Sequence, residues 1–401
     1  MLGKEKICED IDCTGCGLCE NICPVYAISM KADQSFGHKR PVIDPARCIE
    51  CGQCERKCPA NNPVTTNSIR SAFAAWQVND EKHYSSSSGG IAAALYEKYL
   101  DIGGWIAGVR VGERQEPEFM LSNNFAQIQE FKGSKYVQPI IGTIYRDVLE
   151  KLRQGKQVVF IGLPCQCAAM KRYAEVVKAD KLLLVDMVCH GVPSFEAFKA
   201  HLEKIENRTQ KKATKIYFRD KATGVGLILE DNNSCFYKRY LHEDVFMHSF
   251  ISGDLFPENC YRCRYACSER VGDLTICDFW GIGKLAPFKH KMSRVSAVLI
   301  NTAEGQKGFD LIQDIIYAEE RLILEVIEGN EQLREPSQKG LHRDELLTYM
   351  QDGKLSQGLH KIYGSELENK YCRRWVKDQI KTIANSFGIV NILEKRKNNG
   401  R

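Results

Sequence analysis

Eight cysteines near the amino terminus have the spacing of iron-sulfur ligands. Residues 13–24 and 48–59 both have the form C-x2-C-x2-C-x3-C-P, and seven of the twelve positions are identical in the two runs. Three thiolates at this spacing can bind three irons of a 4Fe-4S cubane, whereas the fourth cysteine of each run lies beyond that cluster and ligates the other one. The repeat therefore predicts two 4Fe-4S clusters with crossed ligands.

The crossed arrangement assigns four cysteines to each cluster. One set is Cys13, Cys16, Cys19 and Cys58, and the other is Cys48, Cys51, Cys54 and Cys23. We expect Gly15, Gly17 and Gly52 to let the backbone curl closely around the sulfides. A zinc site is the alternative, but zinc proteins usually separate two cysteine pairs by a longer loop. Cys8 falls outside the spacing, and we expect it to be a free thiol.

The segments around these cysteines indicate a small domain with internal pseudo-symmetry. Residues 26–30 and 41–44, which lie between the two runs, have the apolar pattern of short strands. We therefore expect an α+β ferredoxin-like domain over residues 1–65, built around the two clusters.

After Ser71 the chain alternates between strand and helix patterns. Strands are predicted at residues 72–78, 105–111, 157–161 and 182–187, and helices at 89–100, 142–154, 166–177 and 195–207. This alternation is typical of an α/β sheet. The pattern is weaker beyond Lys215, where we expect a strand at 216–219, a hairpin near 231–233, and a strand and helix within 297–315. The prediction is an α/β domain over residues 70–330 and a helical extension over 331–401.

Composition and charge exclude several classes of protein. The chain has 18 cysteines among 401 residues, but with 43% hydrophobic residues it can bury a core without disulfides, so metal ligation or thiol chemistry is the better explanation. Lys and Arg number 56 against 51 Asp and Glu, too small an imbalance to indicate nucleic acid. The first residues are too charged for a secretory signal, and no apolar run reaches the roughly 18 residues of a membrane span. We expect a cytoplasmic protein.

Two features of the larger domain lie where ligands bind in α/β proteins. The run of four serines and two glycines at residues 85–90 precedes a predicted helix, whose free N–H groups favour a phosphate, although a simple N-cap has the same pattern. Cys165 and Cys189 each follow a predicted parallel strand, and ligands bind at the carboxyl ends of such strands. Buried cysteine is also a common core residue, so the pattern alone leaves both explanations open.

Cys260 and Cys263 form a C-x2-C pair, which is half of a metal site. Together with Cys165 and Cys189 they would supply four thiolates for a third cluster. Paired instead with Cys267 and Cys277, a few residues further on, they would look more like a zinc site.

The order of several short motifs makes residues 71 to about 330 similar to the family formed by the beta subunits of coenzyme F-420 hydrogenases and dehydrogenases. The segments that carry the resemblance are 88–90, 133–138, 162–166, 189–194, 218–221, 260–263 and 278–281. Two positions depart from the family pattern: residues 257–259 read Pro-Glu-Asn where relatives often have Arg-Pro-Ser, and Cys277 replaces the usual glycine before Asp-Phe-Trp-Gly.

The resemblance implies cofactors beyond the two amino-terminal clusters. It implies an α/β flavin-binding domain that holds FAD, with contacts from Ser88, Gly89, Gly90, Ser134, Lys135 and Tyr136. It also implies a third 4Fe-4S cluster on Cys165, Cys189, Cys260 and Cys263, for which Cys267 and Cys277 would compete as ligands. Lys135, Arg219 and Lys221 could then stabilise a reduced, anionic flavin or an acidic substrate, and solvated surface cations are the alternative explanation for these three residues.

The same resemblance implies an iron-sulfur flavoprotein oxidoreductase. Electrons would pass between 4Fe-4S clusters, a flavin and an organic substrate or deazaflavin, and some relatives suggest a link to polysaccharide biosynthesis. The expected electron donors are reduced ferredoxin, a deazaflavin or a partner oxidoreductase. We do not expect NADH or NADPH to serve, because no segment has G-x-G-x-x-G between a strand and a helix. The alternative is a non-catalytic electron-transfer subunit that serves a partner oxidoreductase.

Overall fold

The computed structural model describes residues 6–175, 181–220, 224–232, 234–292 and 294–386. The amino-terminal module consists, in chain order, of α1 (Leu18–Ile22), β1 (Ile28–Ala32), β2 (Lys39–Ile43) and α2 (Gln53–Arg56). The two strands pair antiparallel. Each helix begins after a glycine with positive φ, Gly17 at 70° and Gly52 at 68°, so the two halves of the cysteine repeat have the same local structure.

The first half of the larger domain alternates strands and helices. Its elements are β3 (Ser71–Gln77), α3 (Asp80–Tyr84), α4 (Ile91–Asp101), β4 (Trp105–Val111), β5 (Pro117–Ser122), α5 (Gln127–Phe131), α6 (Ile144–Arg153), β6 (Val158–Gly162), α7 (Pro164–Ala174), β7 (Leu182–Met187) and α8 (Phe195–Thr209).

The second half begins with three consecutive strands and ends in helices. Its elements are β8 (Lys215–Asp220), β9 (Gly224–Glu230), β10 (Cys235–Tyr240), α9 (Val245–Ile251), a 3-10 helix (Glu258–Arg262), β11 (Leu274–Asp278), β12 (Ser296–Ile300), α10 (Ala303–Asp310), β13 (Ile316–Arg321), α11 (Ile323–Gly329), a second 3-10 helix (Glu331–Leu333), α12 (Arg343–Gln351) and α13 (Leu355–Ser386).

Eight strands form one mixed sheet in the order β13, β3, β12, β11, β7, β6, β4, β5. Its centre is parallel, because β4, β6, β7 and β11 run in the same direction. On either side the neighbours are antiparallel, so Asp278 at the end of β11 lies opposite Ser296, which in turn lies opposite Ala75 near the end of β3. The carboxyl ends of the parallel strands and of β3 therefore meet at one edge of the sheet.

Apolar side chains cover both faces of this sheet. Helix α4 packs on one face, and its Leu95 is fully buried in a core group with residues of β4, β6 and β7. Helices α6 and α7 pack in another core group, which also contains Leu18 of α1. The amino-terminal module thus shares a hydrophobic core with the larger domain.

A small antiparallel sheet of β8, β9 and β10 is separate from the main sheet. Its apolar residues form one core group with residues of α8, α9 and α13. Within the described ranges, no helix is long and apolar enough to cross a membrane.

Most predicted elements are present within a few residues, and the mixed α/β class is confirmed. The strand predicted at 72–78 is β3, those at 157–161 and 182–187 are β6 and β7, and 297–315 contains β12 and α10. The predicted hairpin near 231–233 joins β9 to β10, with its Asn233 outside the described residues. Elements α3, β5, β11 and β13 were not predicted. The helical extension is represented by α12 and α13, and its residues beyond 386 lie outside the described part.

Candidate redox site

Four thiols of the amino-terminal module line one cavity. They come from Cys13, Cys16, Cys19 and Cys58, the set that the crossed arrangement assigned to one cluster. Cys19 is close enough to the other three for each to raise its pKa, after the larger effect of burial. We call these four residues the first thiol group; their role as cluster ligands stays a prediction.

Cys8 also lines this cavity, although the spacing had set it apart. Its side chain is hydrogen-bonded to Cys13 and to Cys58. These contacts raise the pKa of Cys8 far above its usual value, and they lower the pKa of Cys13 to about 6 and that of Cys58 to about 7. That Cys8 is a free thiol stays a prediction, but its side chain is not independent of the first thiol group.

The remaining cysteines of the repeat are Cys23, Cys48, Cys51 and Cys54, and three of them share an apolar group with Cys19 and Cys58 of the first thiol group. Cys23 is buried in a small apolar group with Ile7, Ala27 and Ile28, and Cys48 and Cys54 pack against it. Cys51 is exposed. We call Cys23, Cys48, Cys51 and Cys54 the second thiol group. Among the described residues, no group of three or more His, Cys, Asp or Glu side chains is arranged to hold a metal ion.

A third thiol group lies at the carboxyl edge of the large sheet. Cys165 is in the first turn of α7, directly after β6, and Cys189 follows β7. Cys260 lies within the 3-10 helix, and Cys263 directly follows it. The Cys165 thiol is within electrostatic reach of Cys189, Cys260 and Cys263. The fold therefore brings together residues that are almost 100 positions apart in sequence.

These four thiols lie in an environment that opposes their ionisation without a bound cation. Burial is the main cause of the raised pKa of Cys165, Cys260 and Cys189, the last to about 12, and the neighbouring thiols raise each further. The Val192 N–H is hydrogen-bonded to the Cys260 sulfur and acts in the opposite direction. Buried thiols of this kind are stable as thiolates when metal ions supply the compensating charge, so the donor set fits an iron-sulfur cluster.

The two competing cysteines are placed differently. Cys277 lies within β11, where it pairs with Ala297 of β12 and packs in a different core group from Cys165 and Cys263. Cys267 lies near Cys263, but its sulfur is within hydrogen-bond distance of the carbonyls of Arg264 and Glu269, at 3.5 and 3.4 Å, and can donate its one S–H to either. The arrangement favours Cys165 and Cys189 over these two as partners of the C-x2-C pair.

The first and third thiol groups are neighbours. Cys16 lies within electrostatic reach of Cys165, and the buried Tyr265 interacts with both. The hydroxyl of Tyr145 donates to the Cys16 carbonyl at 2.8 Å. Arg146, the next residue of α6, donates to the carbonyls of Glu20 and Asn21 at 2.9 and 2.6 Å. These contacts hold the module against the larger domain at the point where the thiols approach.

Residues 85–90, which we call the serine loop, lie at the same edge of the sheet. The Gly89 N–H donates to Ser296 Oγ at 2.9 Å, and a Cβ on Gly89 would overlap the Ala75 carbonyl. Glycine is therefore required for close packing between β3 and β12. The Gly89 N–H is already hydrogen-bonded within the protein, and a contact of Gly89 with a flavin stays a prediction.

Helix α4 begins directly after this loop. Gly90 is its N-cap, with φ of 84° and no side-chain cap. The Gly90 carbonyl accepts from Gln77 Nε2 at 2.8 Å, and Ser88 Oγ donates to the Val295 carbonyl at 3.3 Å. The serine hydroxyls thus anchor the loop, while the first turn of α4 keeps the positive end of a helix dipole.

Three cationic side chains bind the serine loop from other elements. Arg219 donates to the Ser87 carbonyl, Arg294 donates to the Ser86 carbonyl at 3.1 Å, and Lys132 donates to Ser85 Oγ at 2.9 Å. The positive charge that an anionic ligand requires is therefore gathered around the loop.

Arg219 connects this loop to two of the family-like motifs. Its guanidinium forms an ion pair with Asp278 at the end of β11, and its Nε donates to the Tyr136 hydroxyl at 3.0 Å. Tyr136 and Asp278 raise the pKa of Arg219, so it stays charged despite burial. The segments expected to bind a flavin, 88–90 and 134–136, thus lie on either side of one arginine. Ser134 is half-buried in the second of these segments.

Lys135 has a different role from the one expected. Its Nζ donates to the carbonyls of Glu130, Phe131 and Lys132 at 2.9, 3.0 and 2.8 Å, so it caps the end of α5 rather than pointing to a ligand. Removal from water lowers its pKa to about 7. Lys221, the other lysine expected to act on a flavin, lies outside the described residues.

A row of aromatic rings joins the third thiol group to Arg219. His190, the residue after Cys189, packs edge-on against Phe250 with ring centroids 5.7 Å apart. Phe250 stacks on Tyr136 at 5.0 Å, and Tyr136 accepts the hydrogen bond from Arg219.

Several contributors to the site were not identified from the sequence, among them Lys132 and Phe250. Cys8 lies outside the ligand spacing, and Ser296 and Arg294 have no motif that would mark them. Asp278 and Arg219 each belong to a motif that the sequence analysis had singled out, 278–281 and 218–221. The sequence did not indicate that these two residues would form an ion pair.

Comparison with known proteins gives matches over both regions. Residues 12–62 match the family described as 4Fe-4S dicluster domain, and residues 155–324 match the carboxyl terminus of the beta subunit of coenzyme F-420 hydrogenase/dehydrogenase. The F subunit of the F(420)H(2) dehydrogenase of Methanosarcina mazei is 22% identical over 330 residues, which cover 77% of this chain and 84% of that protein. A chain from the xenon derivatization of the F-420-reducing nickel-iron hydrogenase complex of Methanosarcina barkeri aligns with a TM-score of 0.44 and 16% identity, covering 74% of this chain and 92% of that one.

Proposed function

We propose that this protein moves electrons along three 4Fe-4S clusters to a bound FAD. The flavin would exchange them with an organic substrate or a deazaflavin. The proposal is supported by the match of residues 155–324 to the carboxyl terminus of coenzyme F-420 hydrogenase/dehydrogenase beta subunits and of residues 12–62 to the 4Fe-4S dicluster domain. The dicluster domain and the oxidoreductase relationship are established by these matches; the third cluster, the FAD and the substrate are the proposal.

The observation that carries this proposal is the spatial order of the thiol groups. The second group includes the exposed Cys51, and its Cys23 shares an apolar group with Cys19 and Cys58 of the first. Cys16 of the first group approaches Cys165 of the third. Clusters held in this order would form a path from the protein surface to the edge of the large sheet. Each 4Fe-4S cluster carries one electron at a time, which suits a one-electron protein donor that approaches near Cys51.

The residues at the end of this path fit a flavin nucleotide. The first turn of α4 and the cations that bind the serine loop suit a phosphate or pyrophosphate group. When bound, a flavin supplies the conversion between electron pairs and single electrons. Arg219 would hold the serine loop and Tyr136 in a fixed relation, so that the nucleotide site and the aromatic row keep their geometry.

A second candidate function is a non-catalytic electron-transfer subunit. It is favoured by the relative from Methanosarcina mazei, which is named as one subunit of a dehydrogenase and aligns over most of its own length. In this case a partner oxidoreductase would complete the substrate site.

The link to polysaccharide biosynthesis belongs to the first candidate function, the flavin enzyme. It would be tested by metabolite profiling of a deletion strain.

Anaerobic purification followed by metal and flavin analysis tests the cofactors. At four irons per cubane, three clusters correspond to about twelve irons per chain and two clusters to about eight. We expect about twelve irons together with FAD that acid treatment releases. An iron-replete protein that neither contains nor takes up flavin would contradict the flavin part and leave the simple electron carrier.

Redox titration of the same preparation tests the donors. Reduced ferredoxin or a reduced deazaflavin should bleach clusters and flavin, whereas NADH and NADPH should not do so efficiently, because the chain lacks the common dinucleotide motif. Rapid, complete bleaching by NADH would contradict this expectation. Turnover of a small molecule by the purified chain would favour the enzyme, and activity that appears only with a partner would favour the subunit.

A further inference from the structure

We propose that the Cys8 thiol is a hydrogen-bond donor to the ligand sulfurs of the first thiol group and raises the reduction potential of the cluster held there. The inference rests on the proposed function, because it requires a cluster on Cys13, Cys16, Cys19 and Cys58. It adds a fifth cysteine, outside the ligand spacing, with a role distinct from ligation.

The geometry of the segment before the first ligand brings Cys8 to the cavity. The N–H groups of Asp12 and Cys13 both donate to the Glu9 carbonyl at 3.0 Å, so the chain turns back on itself between Cys8 and Cys13. Cys8 lies on the wall of the cavity, and its thiol contacts Cys13 and Cys58.

The residue before Cys8 fixes this position. Ile7 is only 6% exposed and packs in the apolar group of Cys23, and its carbonyl accepts from Asn61 Nδ2 at 2.9 Å. Asn61 follows Cys58 by three residues, so the backbone beside Cys8 is tied to the loop that carries Cys58. The fold therefore holds the backbone beside Cys8 close to the loop of Cys58.

The chemistry of the five thiols separates Cys8 from the others. A cubane has four irons and takes four cysteine ligands, and the repeat already supplies four. A fifth thiol that keeps its proton has one S–H to donate, and thiolates of ligated cysteines are its acceptors. Hydrogen bonds to cluster sulfurs disperse negative charge, which favours the reduced cluster and raises its potential.

The test is an anaerobic redox titration of the full chain, with cluster signals followed by electron paramagnetic resonance. Cys8→Ala should leave the iron content unchanged and shift one amino-terminal cluster to a more negative potential. That cluster should be the one whose signal disappears in Cys13→Ser. Cys8→Ser keeps a donor and should restore most of the shift. Cys372→Ala removes an exposed thiol of α13 and should change no potential.

Two results would overturn the inference while leaving the proposed function intact. Equal potentials in wild type and Cys8→Ala would show that the thiol does not act on the cluster. Loss of iron in Cys8→Ala, matching Cys13→Ser, would show that Cys8 is a ligand and not a donor. Wild-type protein that binds no iron in the amino-terminal module would instead overturn both the inference and the proposed function.

Discussion

Cys58 belongs in sequence to the second cysteine run, but its thiol lies in the cavity of the first thiol group. If it is a ligand there, Cys58→Ser should remove the same cluster as Cys13→Ser, with a loss of about four irons in each variant. Iron analysis and electron paramagnetic resonance of both variants, compared with Cys372→Ser as an exposed control, would measure this. A Cys58→Ser spectrum that matches Cys48→Ser instead would reject the crossed assignment.

Arg219 connects the serine loop to Tyr136, the two parts of the proposed flavin site. Its side chain is 14% exposed and that of its partner Asp278 is 24% exposed, so Arg219→Met would leave a largely buried carboxylate unpaired. We expect a loss of about 1–3 kcal/mol in stability and flavin binding weakened roughly tenfold or more, because the serine loop and Tyr136 lose their common partner.

The matched control for this prediction is Arg153→Met, since Arg153 is exposed at the end of α6. Flavin affinity from fluorescence titration and iron content should be measured on the same preparations. Iron should be unchanged in both variants, because the thiol groups are held by other elements. Wild-type flavin affinity in Arg219→Met would contradict the assignment of the site.

At the scale of elements, the parallel strands at the centre of the sheet could be predicted from the sequence better than the antiparallel strands on either side. The buried apolar runs of β6 and β7 predicted where Cys165 and Cys189 would lie, because ligands bind at the carboxyl ends of such strands. The antiparallel pairing of β3 with β12 and β13 depends on contacts between residues more than 200 positions apart. No local pattern encodes such pairing, so the sequence could not show that the serine loop meets Ser296.

The cysteines show the same difference between local spacing, which the sequence reveals, and long-range contacts, which it does not. The eight of the repeat were assigned by spacing alone, since each run is local. Cys277 could not be separated from the third thiol group by sequence, because it follows the C-x2-C pair along the chain. It is set apart only when β11 pairs with β12. Cys8 was missed because its contacts with Cys13 and Cys58 depend on a turn and on Asn61, which no ligand template includes.

Helix α1 carries Cys19 of the first thiol group, and its start depends on the conformation of Gly17. The φ of Gly17 is 70°, and a Cβ there would lie 2.8 Å from Cβ and Cγ2 of Ile141. Gly17→Ala should therefore combine the cost of a left-handed backbone, about 1–2 kcal/mol, with about 1–3 kcal/mol of overpacking. The matched control is Gly103→Ala, whose φ is 73° with open space around the Cβ position.

Urea unfolding, monitored by loss of cluster absorbance, would compare the two variants. Gly103→Ala should show the backbone cost alone, and Gly17→Ala should be less stable and should retain less iron after purification. Equal destabilisation of the two would show that the contact with Ile141 does not constrain the ligand loop.

At the scale of the whole molecule, the amino-terminal module is fixed against the larger domain on the side where Cys16 approaches Cys165. Tyr145 and Arg146 of α6 bind backbone carbonyls of the module, and Leu18 is buried in the core shared with α6 and α7. Electron transfer between the first and third thiol groups would then require no domain movement. The path would be interrupted only by loss of a cluster.

Cys189 gives the sharpest test of this path, because it lies in the third thiol group and precedes His190 at the start of the aromatic row. Cys189→Ala should lose about four irons. In stopped-flow experiments with reduced ferredoxin, its amino-terminal clusters should bleach as fast as in wild type, and its flavin should bleach much more slowly. Cys277→Ala removes a half-buried thiol at the same edge of the sheet but outside the group, and it should behave like wild type. Flavin reduction at the wild-type rate in a Cys189→Ala protein that has lost its third cluster would mean that electrons reach the flavin directly from the donor. The order of the thiol groups would then not be the order of electron flow.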